Sequence, residues 1–279
     1  MTTEDPGTAG LDTGGPDNDA PDAATLRAFG VAGSVPERLA GGQGTTWRAG
    51  DLVFRPHGNA AEAAWRSGVL ATLEHTSAFH TPRPVPTADG HWTRGPWEAW
   101  EWVPGTADAT RVAEVLRAGA AFHRAVAHLA RPSFLDRTVD PWSRADRMVW
   151  DEAPVPDAIA HDVSVRRLSD AFRPVDAPRQ LIHRDLLGNV LFADGQPPTV
   201  IDWAPSWRPS GFGAAIAAVD AVCWHGVPVA RLASFGVGVD GWSQLLVRAL
   251  AFRVVTLHLL GAWDDRSVAL HRPVVDALV

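Results

Sequence analysis

The chain contains no lysine and no tyrosine, and its 25 basic residues are all arginine. Any cation it offers a ligand is therefore an arginine or a histidine. GC-rich coding is the plainest source of this bias, and it also fits the many Ala, Gly, Pro and Trp. A single cysteine, Cys223, excludes an internal disulfide; it lies in an apolar helical stretch and reads as a small core residue. No apolar run reaches membrane-spanning length, because Arg253 and His258 interrupt the best candidate. Positive charge is also short: the net charge of −7 speaks against a polyanion or nucleic-acid partner, which needs clustered basic residues. No Gly-x-Ser-x-Gly elbow supports a serine hydrolase. His161-Asp162 has no second cluster at metal-ligand spacing. The acidic, polar start lacks a signal-peptide pattern, which reads as a cytoplasmic protein.

What remains is a globular composition, 46% hydrophobic over 279 residues, enough for one large domain or a two-lobed one. Residues 1–22 are rich in Asp, Gly, Pro and Thr with no basic residue, which predicts a disordered acidic tail. A short helix is expected over Ala23–Phe29, ending at Gly30. From Val35 to Trp102 the signals are mostly strands: Thr45–Arg48 turns at Ala49-Gly50 into Asp51–Arg55, and Asp89-Gly90 marks another hairpin. Asn59 to about Leu73 reads as a helix. After residue 103 the spacing becomes helical, over Val112–Leu129, Arg144–Trp150, Asp162–Phe172, Gly213–Trp224 and Ser243–Leu260. The organisation expected is a strand-rich unit over 23–102 and a helical one over 103–279.

The stretch Leu181–Trp203, LIHRDLLGNVLFADGQPPTVIDW, carries the chemistry. Val190–Phe192 and Thr199–Ile201 are short apolar strands around an Asp194-Gly195 turn, so Asn189 and Asp202 flank the open ends of a hairpin. Asp185, Asn189 and Asp202 supply a carboxylate to orient an attacking hydroxyl, and an amide oxygen with a second carboxylate to hold magnesium against nucleotide phosphates. Taken singly, each of the three also fits a turn-former or a strand-end cap.

This ordered set resembles the catalytic and metal loops of the aminoglycoside phosphotransferase family, which has a protein-kinase-like fold. The wording HRDLLGNVLF is most similar to an actinobacterial subgroup of that family. Two departures stand out: Arg184 occupies the middle position, as in protein kinases, and the loop from Asp185 to Asn189 is one residue shorter than the family's. The resemblance implies an α+β, bilobal fold with a small antiparallel-sheet N-lobe and a mainly helical C-lobe. It also implies ATP and Mg²⁺ as cofactors. Asp185 becomes the catalytic residue and Asn189 and Asp202 the metal ligands. His183, Arg184 and Asp220 become supports of the catalytic loop.

The same resemblance makes Gly41, Gly42, Gln43 and Gly44 a nucleotide-covering loop, although the four residues by themselves read as an ordinary hairpin loop. Arg55 stands where the family carries its phosphate-contacting Lys, and a surface arginine is the competing reading. Glu62 matches the helix glutamate that orients that cation, and it fits a capping box with Asn59 equally well. Trp100, Glu101, Trp102 and Val103 match the hinge that meets the adenine edge; they also fit a packed strand end.

The function implied is ATP-dependent transfer of phosphate to a hydroxyl of a small molecule. Asp146, Asp151, Glu152 and Asp157 are carboxylates for a cationic acceptor such as an amino sugar, or else a solvated surface. A nucleotide-binding pseudokinase with a regulatory role is the alternative, resting on the short loop and on Arg55; nucleotidyl transfer would use the same metal set.

Overall fold

The computed structural model describes residues 20–40 and 44–279, which group into two compact units. The first runs to Gly105 and takes back Ala193–Ile201; the second holds Thr106–Phe192 and Asp202–Val279. Residues 1–19 of the expected tail, with Gly41, Gly42 and Gln43, lie outside the described residues.

In the first unit, helix α1 (Ala23–Ala28) is capped by Asp22, whose carboxylate accepts from the Thr25 amide at 2.7 Å. Strands β1 (Glu37–Arg38), β2 (Trp47–Ala49) and β3 (Leu52–Pro56) form an antiparallel ribbon, with Gly50 left-handed (φ +60°) in the β2–β3 turn. Helix α2 (Ala60–Thr72) starts at Asn59, whose side chain accepts from the amides of Ala61 and Glu62. Then come β4 (Pro84–Val85), β5 (Thr93–Arg94) and β6 (Trp97–Glu101). The Asp89-Gly90 turn exists but joins no paired strands: β4 and β5 both pair with β6, and the tight hairpin is β5–β6 around Gly95-Pro96. Leu26, Phe29, Leu52, Phe54, Trp97 and Ala99 make the core, with the rings of Phe29 and Phe54 edge to face at 5.5 Å.

The second unit opens with β7 (Thr106–Ala107) and α3 (Val112–Val126), then α4 (Pro141–Val149), α5 (Asp157–Ala160) and α6 (Val163–Asp170). Strands β8 (Arg179–His183) and β9 (Val190–Phe192) follow; β10 (Thr199–Val200) belongs to the first unit, where His80 exchanges backbone bonds with Pro198 and Val200 at 2.8 Å. Then come β11 (Pro205–Pro209), α7 (Gly211–His225), α8 (Leu232–Phe235), α9 (Trp242–Leu259) and α10 (Asp265–Leu278). β7 pairs with β9, and β11 with β8, both antiparallel. Helix α9 is apolar on nearly every face and packs against α4, α6, α7 and α10, so it is the axis of this unit. Helix α10 was not expected, because Pro273 lies inside it; its buried face, with Val274 and Val275, outweighs the missing donor. Among the described residues no helix is long and apolar enough to cross a membrane.

Candidate active site

Strand β8 ends at His183, which is fully buried, and Asp185 follows on the loop beyond it. The Asp185 amide donates to His183 Nδ1 at 3.1 Å, so the histidine fixes the loop backbone. Leu186 and Leu187 are buried and anchor the loop from below. Gly188 is left-handed (φ +88°), which lets the short loop turn back at once. Asn189 then points its amide at Asp185: Nδ2 donates to Asp185 O at 2.8 Å and to Oδ2 at 3.0 Å. That use of the nitrogen leaves the amide oxygen as the acceptor Asn189 can offer a cation. Arg184 turns away from the carboxylate, with Nη2 on Ser143 Oγ at 3.2 Å and 3.7 Å from Asp140.

The other oxygen of Asp185 belongs to a residue the sequence reading did not single out. Arg253, on α9, donates from Nη2 to Asp185 Oδ1 at 2.8 Å. The same guanidinium grips Asp220, on α7, through Nε at 2.8 Å and Nη2 at 2.6 Å. Asp220 thus reaches Asp185 through an arginine. Burial works against the charge on Arg253, but Asp220 and Asp185 outweigh it and hold its pKa above the ordinary value. A charged residue in a helix apolar all round has to be paired, and that was the signal for Arg253.

His123, on α3, is a second unanticipated support. Its Nε2 accepts from the His183 amide at 2.8 Å, and its Nδ1 lies 3.0 Å from Ser210 O. Burial, with His183 beside it, lowers its pKa to about 3, so the ring is neutral and Nδ1 carries the proton. Packing here has no slack: a Cβ on Gly213 would stand 2.3 Å from His183 O, and one on Gly119 would stand 2.4 Å from Leu186 Cδ1.

Asp202 adopts φ +51°, a left-handed backbone that a non-glycine residue holds at a cost. The next residue, Trp203, is buried; its Nε1 donates to Ile182 O at 3.0 Å and its ring meets Phe122 edge to face at 5.1 Å. Trp203 thus ties the Asp202 turn to β8. Asn189 and Asp202 are hard oxygen donors of the kind Mg²⁺ takes. Among the described residues no group of three or more His, Cys, Asp or Glu is placed to hold a metal, so phosphate oxygens and water would complete such a shell.

In the first unit, Arg55 stands on β3 directly across from Glu98 on β6, and its Nε bonds Glu98 Oε1. Glu98 also takes Arg66 Nη2 on both oxygens, at 2.8 and 3.0 Å, while Arg66 Nη1 reaches Glu62 at 3.2 Å. Burial raises the Glu98 pKa, yet Arg55 and Arg66 together hold it below the usual carboxylate range. Burial and the neighbouring Arg66 lower that of Arg55. Neither Glu98 nor Arg66 was singled out from sequence; a glutamate inside the apolar strand WEAWE was the visible sign. Trp100 is buried, with the guanidinium carbons of Arg55 and Arg66 at 5.7 and 6.0 Å from its ring. Trp102 is partly exposed under Arg48, at 4.3 Å. The amides of Glu101 and Trp102 are used by Arg83 O and Asp51 O, both at 2.8 Å, so Val103 has the first amide along this segment that no carbonyl among the described residues takes. Gly44 is left-handed (φ +68°) and its carbonyl accepts from Arg38 Nε at 2.5 Å.

The carboxylates considered for a cationic acceptor are in part neither a recognition patch nor a solvated face. Asp146 is buried, with Ser206 Oγ at 3.1 Å and Arg208 Nη2 at 2.8 Å. Glu152 pairs with Arg208 at 2.7 Å and Arg179 at 2.6 Å. The Asp146–Arg208 pair is buried, whereas Glu152, though paired, is exposed. Asp157 and Asp151 are exposed.

A model of the phosphotransferase enzyme family matches residues 25–206. Solved structures with the same fold include a spectinomycin phosphotransferase in complex with ADP and spectinomycin, 15% identical with a TM-score of 0.56, covering 92% of this chain and 96% of that one. An amicoumacin kinase in complex with AMP-PNP and Ca²⁺ is 11% identical with a TM-score of 0.59, covering 87% of each chain. A microcompartment-associated aminopropanol kinase is 18% identical with a TM-score of 0.54, covering 92% and 94%. No curated protein matches the sequence significantly. The family model spans well over half of the chain and takes in the whole loop from His183 to Asp202, so the chain belongs to the phosphotransferase enzyme family.

Proposed function

We propose that the protein transfers the γ-phosphate of ATP to a hydroxyl of a small molecule, with Asp185 as the catalytic residue. One observation carries this reading: Asp185 is held on both carboxylate oxygens, by Arg253 and by Asn189, directly after the buried His183. A carboxylate fixed in this way accepts a hydroxyl proton in a set direction. The hydroxyl oxygen attacks the γ-phosphorus, the bond to the bridging oxygen breaks to leave ADP, and the hydroxyl proton passes to Asp185. Most of the rate gain comes from positioning and charge stabilisation.

Asn189 and Asp202 would hold Mg²⁺, whose chemistry is to neutralise charge on the phosphate oxygens. Arg55 contacts the phosphates, the Val103 amide meets the adenine edge, and Gly41–Gly44 cover the nucleotide. Glu62 supports the arginines from α2. The solved relatives that bind spectinomycin or act on aminopropanol support an amino sugar or amino alcohol as acceptor. Because Asp146 is buried against Arg208, acceptor recognition falls to other residues. Catalysis is favoured over a regulatory pseudokinase, because Asp185 and Asn189 are bonded to each other and Asp202 keeps its strained backbone.

The test is ATP consumption with Mg²⁺ across amino alcohols, amino sugars, aminoglycosides and nucleosides, run on wild type and Asp185→Asn. Acceptor-dependent ADP release that the variant loses supports the reading. Release that is equal in both proteins removes Asp185 from the mechanism.

A further inference from the structure

We propose that Glu98 is the positioning residue that aims Arg55 at the nucleotide, with Arg66 as its buried counter-charge; this rests on the phosphate-contacting reading of Arg55 given above. Arg55 and Glu98 are cross-strand partners on β3 and β6, so their side chains leave the sheet on the same face. The bond is made through Arg55 Nε, the root of the guanidinium, so Glu98 sets the plane of the whole fork. A lysine at this place would have no donor at that height along the side chain. Arginine at 55 and glutamate at 98 therefore work as one unit.

Arg66 explains how the carboxylate survives there. Glu98 has 1% of its side chain exposed and Arg66 has 8%, and the guanidinium covers both carboxylate oxygens. That pair already compensates the burial of Glu98. The bond to Arg55, whose side chain is 20% exposed, comes in addition to it. With Glu62 on Arg66, these two glutamates balance these two arginines. The Trp100 ring flanks both guanidinium groups and narrows the rotamers open to them. An arginine side chain loses several rotors when it binds, and anchoring Nε beforehand removes much of that cost.

The decisive variant is Glu98→Met/Arg66→Met, which removes the buried pair as a unit and leaves Arg55 Nε no acceptor at position 98. Its melting temperature, its Kd for Mg–ATP and its split of KM for ATP against kcat are compared with wild type, Glu98→Asp, Arg66→Gln and Arg55→Ala. A double variant that melts near wild type yet binds Mg–ATP about tenfold more weakly supports the proposal. KM should carry most of the loss, and Arg66→Gln, which keeps the Arg55–Glu98 bond, should lose less affinity than the double. A folded double variant that binds Mg–ATP as tightly as wild type overturns it. If the double variant does not fold, Glu98→Asp decides: it keeps the charge but draws back from Arg55, so weakened binding supports the proposal and unchanged binding overturns it. Arg55→Ala separates the two levels. If it too binds as tightly as wild type, the phosphate reading of Arg55 fails; if it alone is weakened, only the role of Glu98 fails.

Discussion

Replacing Arg253 by Met should be among the most damaging single changes in the second unit, and the damage should fall unequally on its two carboxylates. The apolar part of Met fills the same channel through α9, so the change is mainly electrostatic. Asp220 has 4% of its side chain exposed and cannot recover water, whereas Asp185 has 39% exposed and can. Removing one partner of a buried ion pair typically costs about 3–5 kcal/mol, and most of that belongs to Asp220. Urea unfolding of Arg253→Met should show a loss in that range. Adding Asp220→Asn should recover part of it, because the buried charge that Arg253 offset is then gone. Turnover should remain low in both proteins, by about a hundredfold, since Asp185 has lost the donor that fixes Oδ1. A single-variant loss below about 1 kcal/mol, the range of an exposed pair, would refute the reasoning. So would a double variant as unstable as the single one.

Gly213→Ala should lower stability by about 1–3 kcal/mol, as overpacking does, because its Cβ meets His183 O; urea midpoints measure it, and a neutral result would show that α7 can shift freely. His123 stays neutral in the fold, with a pKa depressed to about 3, while the unfolded chain protonates it near 6.5. Its contribution is therefore complete above pH 6.5 and is lost progressively as pH falls towards 3. His123→Gln should flatten the stability profile in that window, and an unchanged profile would contradict the assignment. Asp22→Ala should lower the urea midpoint slightly through loss of the α1 cap; no change would mean that the cap contributes nothing.

The parts of the molecule that sequence made legible are those fixed locally. The run from His183 to Trp203 declares itself because a buried strand, a tight loop and a second strand end lie within one short stretch. Helices α3, α7 and α9 follow from apolar spacing, whatever they pack against. Arg253 was visible only as an interruption of an apolar helix, because its partners Asp185 and Asp220 lie far away in the chain. Glu98 was hidden in the same way, since nothing local says that Arg55 and Arg66 converge on it. Asp146 read as an acceptor ligand or a solvated acid because its partner, Arg208, sits on β11, a strand between two prolines that gave no strand signal. Helix α10 was missed because Pro273 breaks the local pattern, while burial of Val274 and Val275 depends on the finished fold.

The central claim, that Asp185 performs the transfer while other residues bind the nucleotide, is tested most directly by single-turnover transfer from γ-labelled ATP to the best acceptor found. Wild type and Asp185→Asn are compared, with the Kd for Mg–ATP measured on both. The account predicts near-equal Kd values and a transfer rate lower by about a thousandfold or more in the variant. Equal transfer rates at equal affinity would contradict it.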